Sequence, residues 1–285
     1  MPTTKLSIVS LDLERWVGIQ SGRFTRPTQW FSILLGALLT TVFYLIVGRF
    51  QDSTAYYWFT QLGLIPYFIV FFAAWSFAYL FLKWSKIQSQ RKALHVHIVP
   101  RDTAFVLTAD TAEVVLSNMY ESTQEPRDYI LFNRALLALT SIRNFGRLGD
   151  LEDLLQAQAD NDESISDSGY TIIRGLVWAI PVLGFIGTVI GLSAAIGSFG
   201  DVIASAGDLD EIKNKLGDVT QGLSIAFVTT LEALVAALAV QLTLISIQRQ
   251  EEQLLDDTRE YCQRELVSRV RITATDWSSS LDQET

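Results

Sequence analysis

Between Gly175 and Gly200 the chain reads GLVWAIPVLGFIGTVIGLSAAIGSFG, with no charged residue anywhere in the stretch. A helix that crosses a bilayer needs about 20 predominantly apolar residues. A helix buried in a water-soluble core rarely runs that far without an ionisable side chain. Three more stretches repeat the pattern. Pro27 to Gly48 and Ser53 to Leu82 carry no charge, and Val219 to Gln248 carries a single one, Glu232. The four runs predict an all-α, polytopic membrane protein with four transmembrane helices. The first run starts too far from Met1 to be a secretory leader, and no short apolar stretch with a cleavage site precedes it. Trp30, Tyr44, Tyr56, Tyr57, Trp58, Trp84 and Trp178 fall near the ends of the runs, where an aromatic belt would hold them.

Composition agrees and excludes several classes. Of 285 residues 49% are apolar and only 19% are charged, below the roughly 25% of soluble chains. The net charge of −9 gives no basic face for phosphate, which argues against a nucleic-acid binder. The apolar content argues against disorder. One cysteine, Cys262, excludes an intrachain disulfide framework and a cysteine-cluster metal site. His95 and His97 alternate in HVHIV, on a short strand or turn, and read either as structural residues or as two ligands of a metal. No nucleophile–base pair or phosphate loop is visible, so no enzyme and no cofactor are expected.

The basic residues set an orientation. Counted by segment, 19 of the 22 lie before the first run, between the second and third, or after the fourth; Arg49, Lys213 and Lys215 lie in the two short connections. By the positive-inside rule both termini and the middle segment are cytoplasmic. The expected organisation is a cytoplasmic segment 1–27, helices 1 and 2 within 28–83, a cytoplasmic helical segment 84–173, helices 3 and 4 within 174–248, and a cytoplasmic helix and tail 249–285. In the middle segment Tyr129, Phe132, Leu136 and Leu139, and then Leu148, Leu151 and Leu155, recur at helical spacing. Asp160 to Gly169 is polar and acidic and reads as a turn or loop, while the acids of the tail and of Asp150 to Asp167 read as a solvated helix face. The basic stretch Lys83 to Val99 would lie against anionic headgroups. After Gln248 the stripe Leu254, Leu255, Tyr261, Leu266 and Val270 extends helix 4 into the cytoplasm, on the order of 75 Å from Val219 to Val270. Such a stripe wants a partner helix.

Inside the membrane, Gly184, Gly187 and Gly191 are spaced for close helix packing, which in lipid rests on small residues. Thr188 shares their face, near the middle of its run. On the fourth run Thr230 shares a face with Ala226, Ala233 and Ala237 at 100° per residue. The two helices are antiparallel, so the two threonines should meet at one depth. They read either as part of a hydroxyl-lined passage or as residues satisfied on the carbonyl one turn back. Glu232, beside Thr229, is costly at mid-membrane and is a functional candidate by that cost; the other reading is a protonated side chain bonded to Thr40, Thr41 or Tyr44.

PVLGFIGTVIGL (181–192) and GLSIAFVTTLEALVAAL (222–238) resemble the MotA/TolQ/ExbB proton channel family, over about Gly175 to Gln248. The resemblance implies a pentameric stator subunit of a bacterial inner membrane. It implies a ring around two transmembrane helices of a MotB/TolR/ExbD-like partner that carries an ion-binding aspartate, with H⁺ or Na⁺ as the transported ion. Thr188 and Thr230 match the family's pore-lining threonines. Ile225 stands where the ExbB and TolQ branch often has a glutamate, and Glu232 lies seven residues on. Apart from Glu232 the chain has no acid within its spans, so a titratable group from a partner fits the residues as well as the resemblance. A secondary transporter or a membrane scaffold are the other readings, though no repeat relates the first two runs to the last two.

Overall fold

The computed structural model describes residues 24–100, 105–108, 111–123, 125–142, 148–204 and 209–270. Most of the basic N-terminal segment (Lys5, Arg15, Arg23) and the end of the tail lie outside them. Eight α-helices are described: α1 (Gln29–Arg49), α2 (Thr54–Gln61), α3 (Ile65–Leu94), α4 (Ala112–Ser122), α5 (Ile130–Ser141), α6 (Leu148–Ser168), α7 (Thr171–Ala204) and α8 (Leu209–Tyr261). One isolated parallel bridge joins Leu107 to Val270. Four helices, containing α1, α3, α7 and α8, are long and apolar enough to cross a membrane.

The second uncharged stretch is not one helix. Ser53 caps α2 by accepting a hydrogen bond from the Ala55 amide at 3.2 Å. The chain then breaks at Gly63, whose φ of +93° is a conformation that glycine adopts without steric cost. Helix α3 restarts at Ile65, with Pro66 in its first turn, where a missing N–H costs nothing.

The chain divides into two compact units. One comprises Gln29–Phe81 and Tyr170–Ser246, and so holds α1, α2, the first part of α3, α7 and most of α8. Its outer surface is apolar: Trp178, Phe185, Ile196, Phe227, Leu234 and Leu238 are all exposed. In water that surface would be unfavourable; in lipid it is the ordinary one. Within the unit Gly36 lets α1 lie on α3, since a methyl there would stand 2.6 Å from the Trp75 Cα. The Trp75 indole donates to the Ser32 hydroxyl at 3.1 Å, and Ser32 donates in turn to the Gln29 carbonyl. Phe43 meets Phe59 edge-on at 5.1 Å, and Tyr44 stacks on Tyr67 at 4.6 Å.

The other unit comprises Met1–Thr28, Leu82–Gly169 and Ile247–Thr285. Its apolar core is built from the end of α3, helices α4 to α6 and the C-terminal turns, and includes Val115, Met119, Tyr129, Phe132, Leu151 and Leu266. Gln90 acts as a clamp at the start of α5: its Oε1 accepts from the Ile130 amide at 3.0 Å and its Nε2 donates to the Asp128 carbonyl at 2.7 Å. An otherwise orphaned helix N-terminal donor is satisfied in this way.

Several expectations are corrected here. Asp160 to Gly169 is not a loop, because α6 runs to Ser168. Gln156 and Gln158 bond Asp160 and Asp162 one turn on, both at 2.8 Å, and Asp162 turns inward to pair with buried Arg134 at 2.7 Å. Its charge is not solvated. Nor does the whole Lys83 to Val99 stretch face headgroups: Lys83 and Lys86 are buried, Lys83 pairing with Glu251 at 3.0 Å and Lys86 donating to the Arg26 carbonyl. His95 lies in a turn closed by bonds from His95 and Val96 to the Lys92 and Ala93 carbonyls, and His97 follows it. Among the described residues no group of acids, histidines or cysteine is placed to hold a metal. Helix α8 is continuous for 53 residues, about 80 Å, and ends at Tyr261 in a π turn and a 3₁₀ turn. The stripe after Gln248 finds its partners within this chain: Leu254, Leu255, Tyr261, Leu266 and Val270 are buried.

Cys262 sits in that core with 3% of its surface exposed. A buried structural thiol is inert, so maleimide should leave Cys262 unmodified in the folded protein and label it stoichiometrically after denaturation. Mass spectrometry of the two samples checks this; rapid labelling of the native protein would contradict the burial.

Candidate functional site: a hydroxyl pair between two membrane helices

Helices α7 and α8 run antiparallel with almost nothing between their backbones. A methyl placed on Gly184 would strike the Ala233 side chain. On Gly187 it would strike Thr229, and on Gly191 it would come within 2.5 Å of the Ala226 amide and the Gly222 carbonyl. Gly222 repeats the contact from the other side: a methyl there would stand 2.7 Å from the Ala195 amide and the Gly191 carbonyl. The series Gly184, Gly187, Gly191, Ala195 therefore lies against Ala233, Thr229, Ala226, Gly222. Dispersion between backbones at this range is what holds helices together where water exclusion is absent.

Thr188 and Thr230 stand at the edge of this seam, half-buried, with their hydroxyls in hydrogen-bond contact with each other. Each also reaches the same two carbonyls. Thr188 Oγ1 lies 3.2 Å from both Gly184 O and Ala226 O. Thr230 Oγ1 lies 3.1 Å from Gly184 O and 3.0 Å from Ala226 O. Four oxygens thus share two hydroxyl protons. Either proton can satisfy a carbonyl one turn back on its own helix or across the seam, so the donors can exchange partners without backbone movement. When both protons point to carbonyls, the hydroxyl lone pairs are free for a cation; when one turns outward, it can be donated to an anion. The pairing of the two threonines and their bond to the preceding turn are both present in one cluster.

Thr229 does not join it. It is fully buried, and its hydroxyl donates to the Ile225 carbonyl at 2.7 Å. Glu232 stands apart, with 8% of its surface exposed and no hydrogen-bond partner for either oxygen among the described residues. The three partners expected for it are not used. Thr40 and Thr41 donate to Gly36 O and Ala37 O on their own helix, and the Tyr44 hydroxyl has no hydrogen-bond partner among the described residues. The sequence reading also missed the Lys83–Glu251 pair, whose members are buried in the other unit. Thr25 donates to the same carboxylate. The only sequence signal was an acid three residues beyond the end of an apolar run.

These features define a multi-pass membrane protein with a polar, exchangeable hydroxyl pair in an otherwise apolar helix seam. Residues 129–260 match the family model described as the MotA/TolQ/ExbB proton channel family, and both threonines fall inside the match. The match supports an ion-channel function in a membrane complex, and the family is one of channels, not of enzymes. No curated protein and no solved structure matches the chain.

Proposed function

We propose that this chain is the channel-forming subunit of an ion-driven stator in a bacterial inner membrane, with both termini and the segment 84–173 in the cytoplasm. Copies of it, five on the family pattern, enclose two membrane helices of a MotB/TolR/ExbD-like dimer. The partner's aspartate takes up H⁺ or Na⁺. Thr188 and Thr230 line the path, handing hydroxyl oxygens to the ion and hydroxyl protons to the emptied carboxylate. Each charge crossing the field supplies about 2.3 kcal/mol per 100 mV, the energy available for a mechanical step.

One observation carries this reading: the shared cluster of Thr188, Thr230, Gly184 O and Ala226 O, at the edge of the seam and not sealed within it. The apolar exposed faces of α7 and α8 also favour neighbours of the same kind, and the lack of another acid in the spans calls for a partner that brings one.

The test is Thr230→Val in the complex of this chain with its single-span partner, reconstituted in liposomes. The variant keeps the side-chain volume, and Thr188 still has both carbonyls. A hydroxyl bonded to a charged group contributes about 1.5–3 kcal/mol, so flux should fall about 10- to 100-fold while the oligomer elutes unchanged. Thr230→Ser should restore most of it. Flux equal to the unaltered chain would refute the role, and a stable monomer with no partner would refute the assembly.

A further inference from the structure

Helices α5 and α6 and the end of α8 frame a pocket of about 290 Å³ that lies wholly in the unit without the threonine pair. Its floor is Arg134, whose side chain is only 2% exposed. The guanidinium donates through Nε to Asp162 at 2.7 Å. Its two terminal NH₂ groups have no hydrogen-bond partner among the described residues, and they keep a small accessible area at the pocket floor. A guanidinium carries five N–H donors, and four left unmet in a buried residue call for an explanation. The rim bears charge of both signs. Arg259 pairs with Asp160 at 3.3 Å, whereas Glu152 and Asp153, exposed on α6, have no ion-pair partner among the described residues. Leu155 and Val267 supply the apolar part of the wall.

We infer that this pocket binds a basic amino acid as its zwitterion, with the carboxylate on the free NH₂ groups of Arg134 and the two cationic groups at Glu152 and Asp153. The planar fork of a guanidinium matches a carboxylate in geometry and charge. A simple anion would satisfy that fork but meet the two unpaired acids of the rim, and Asp162 already balances the charge of Arg134. A diamine would suit the rim and leave the buried donors unmet. An amino acid with an apolar side chain would neutralise one rim acid and not the other. A basic amino acid answers all three groups, and its methylenes lie along Leu155 and Val267. The volume sits at the lower end of small-molecule sites, right for an amino acid and too small for a nucleotide. The last wall is the π turn that follows α8, so the ligand would join α5 and α6 to the end of the long helix. The inference does not rest on ion conduction, and its failure would leave the channel reading untouched.

The full chain in lipid nanodiscs, with empty nanodiscs as the control, is titrated calorimetrically with lysine and with 1,5-diaminopentane, which is lysine without its carboxylate. Lysine should bind at least about tenfold more tightly, the share of the Arg134 fork. This comparison needs no variant, which matters because a change at Arg134 can unfold the unit by stranding Asp162. Glu152→Gln combined with Asp153→Asn alters only exposed positions and should weaken lysine at least about tenfold. Hydrogen exchange of the unaltered chain should slow on lysine binding in 152–156 and 259–267, which places the ligand. Absence of saturable lysine binding at millimolar concentration, equal affinity for lysine and 1,5-diaminopentane, or a lysine affinity unchanged in the rim variant would each overturn the inference.

Discussion

Gly191→Leu is expected to abolish the folded α7–α8 pair, and even Gly191→Ala should lower stability by about 3 kcal/mol or more, at the upper end of what over-packing costs. The reason is what a side chain would meet. A Cβ on Gly191 would stand 2.5 Å from the Ala226 amide and the Gly222 carbonyl, and both are backbone. A flexible side chain can step aside at small cost; a backbone can give way only if the whole helix moves. The helices would have to separate along the stretch from Gly184 to Ala195, and Thr188 would leave the Ala226 carbonyl at the same time. Gly197 is the control. It lies on the same helix, yet nothing stands within 4 Å of the place a Cβ would take, so Gly197→Ala should match the unaltered chain or gain up to about 1 kcal/mol from helix propensity. Thermal unfolding in detergent and the yield of folded protein decide the matter. A Gly191→Ala protein as stable as Gly197→Ala would mean that the seam is not closed at that position.

The same residues show what a sequence can reveal about such a fold. The four spans are legible because the bilayer imposes length and excludes charge, and both properties can be counted along one dimension. The seam is legible because small residues at three- and four-residue spacing fall on one face of a helix, and Thr188 and Thr230 share those faces. What sequence could not supply was partnership at long range. Asp162 looks like one more acid in a polar stretch until Arg134, 28 residues earlier, takes it into the core. Lys83 looks like a headgroup contact until Glu251 arrives from the far end of α8. The break in the second run was missed for a different reason: Gly63 is one glycine among 17, and only its φ of +93° distinguishes it from one that a helix would absorb. Glu232 is anomalous on sequence alone, but residue type cannot tell which hydroxyl reaches it: Thr40 and Thr41 bond their own helix, and Tyr44 has no partner among the described residues.

The second large effect concerns that unforeseen pair. Lys83 and Glu251 are both almost fully buried, with side chains 0% and 2% exposed, and Thr25 donates a further hydrogen bond to the carboxylate. Taking two charges out of water costs several kcal/mol each, and their mutual attraction returns that cost only while both are present. Glu251→Ala should therefore destabilise its unit by about 3–5 kcal/mol, since it strands an ammonium where water cannot reach it. Lys83→Met should cost a similar amount for the converse reason. The double variant, Lys83→Met with Glu251→Leu, should lie far closer to the unaltered chain than the sum of the single changes, because no charge is left uncompensated and the space is refilled with apolar atoms. Denaturant titration of the four proteins in one detergent closes the cycle. Additive single and double effects would mean that the two side chains do not depend on each other, and the burial of this ion pair would then have to be abandoned. Non-additivity of several kcal/mol would instead identify a polar lock that ties α8, just beyond its apolar run, to the end of α3.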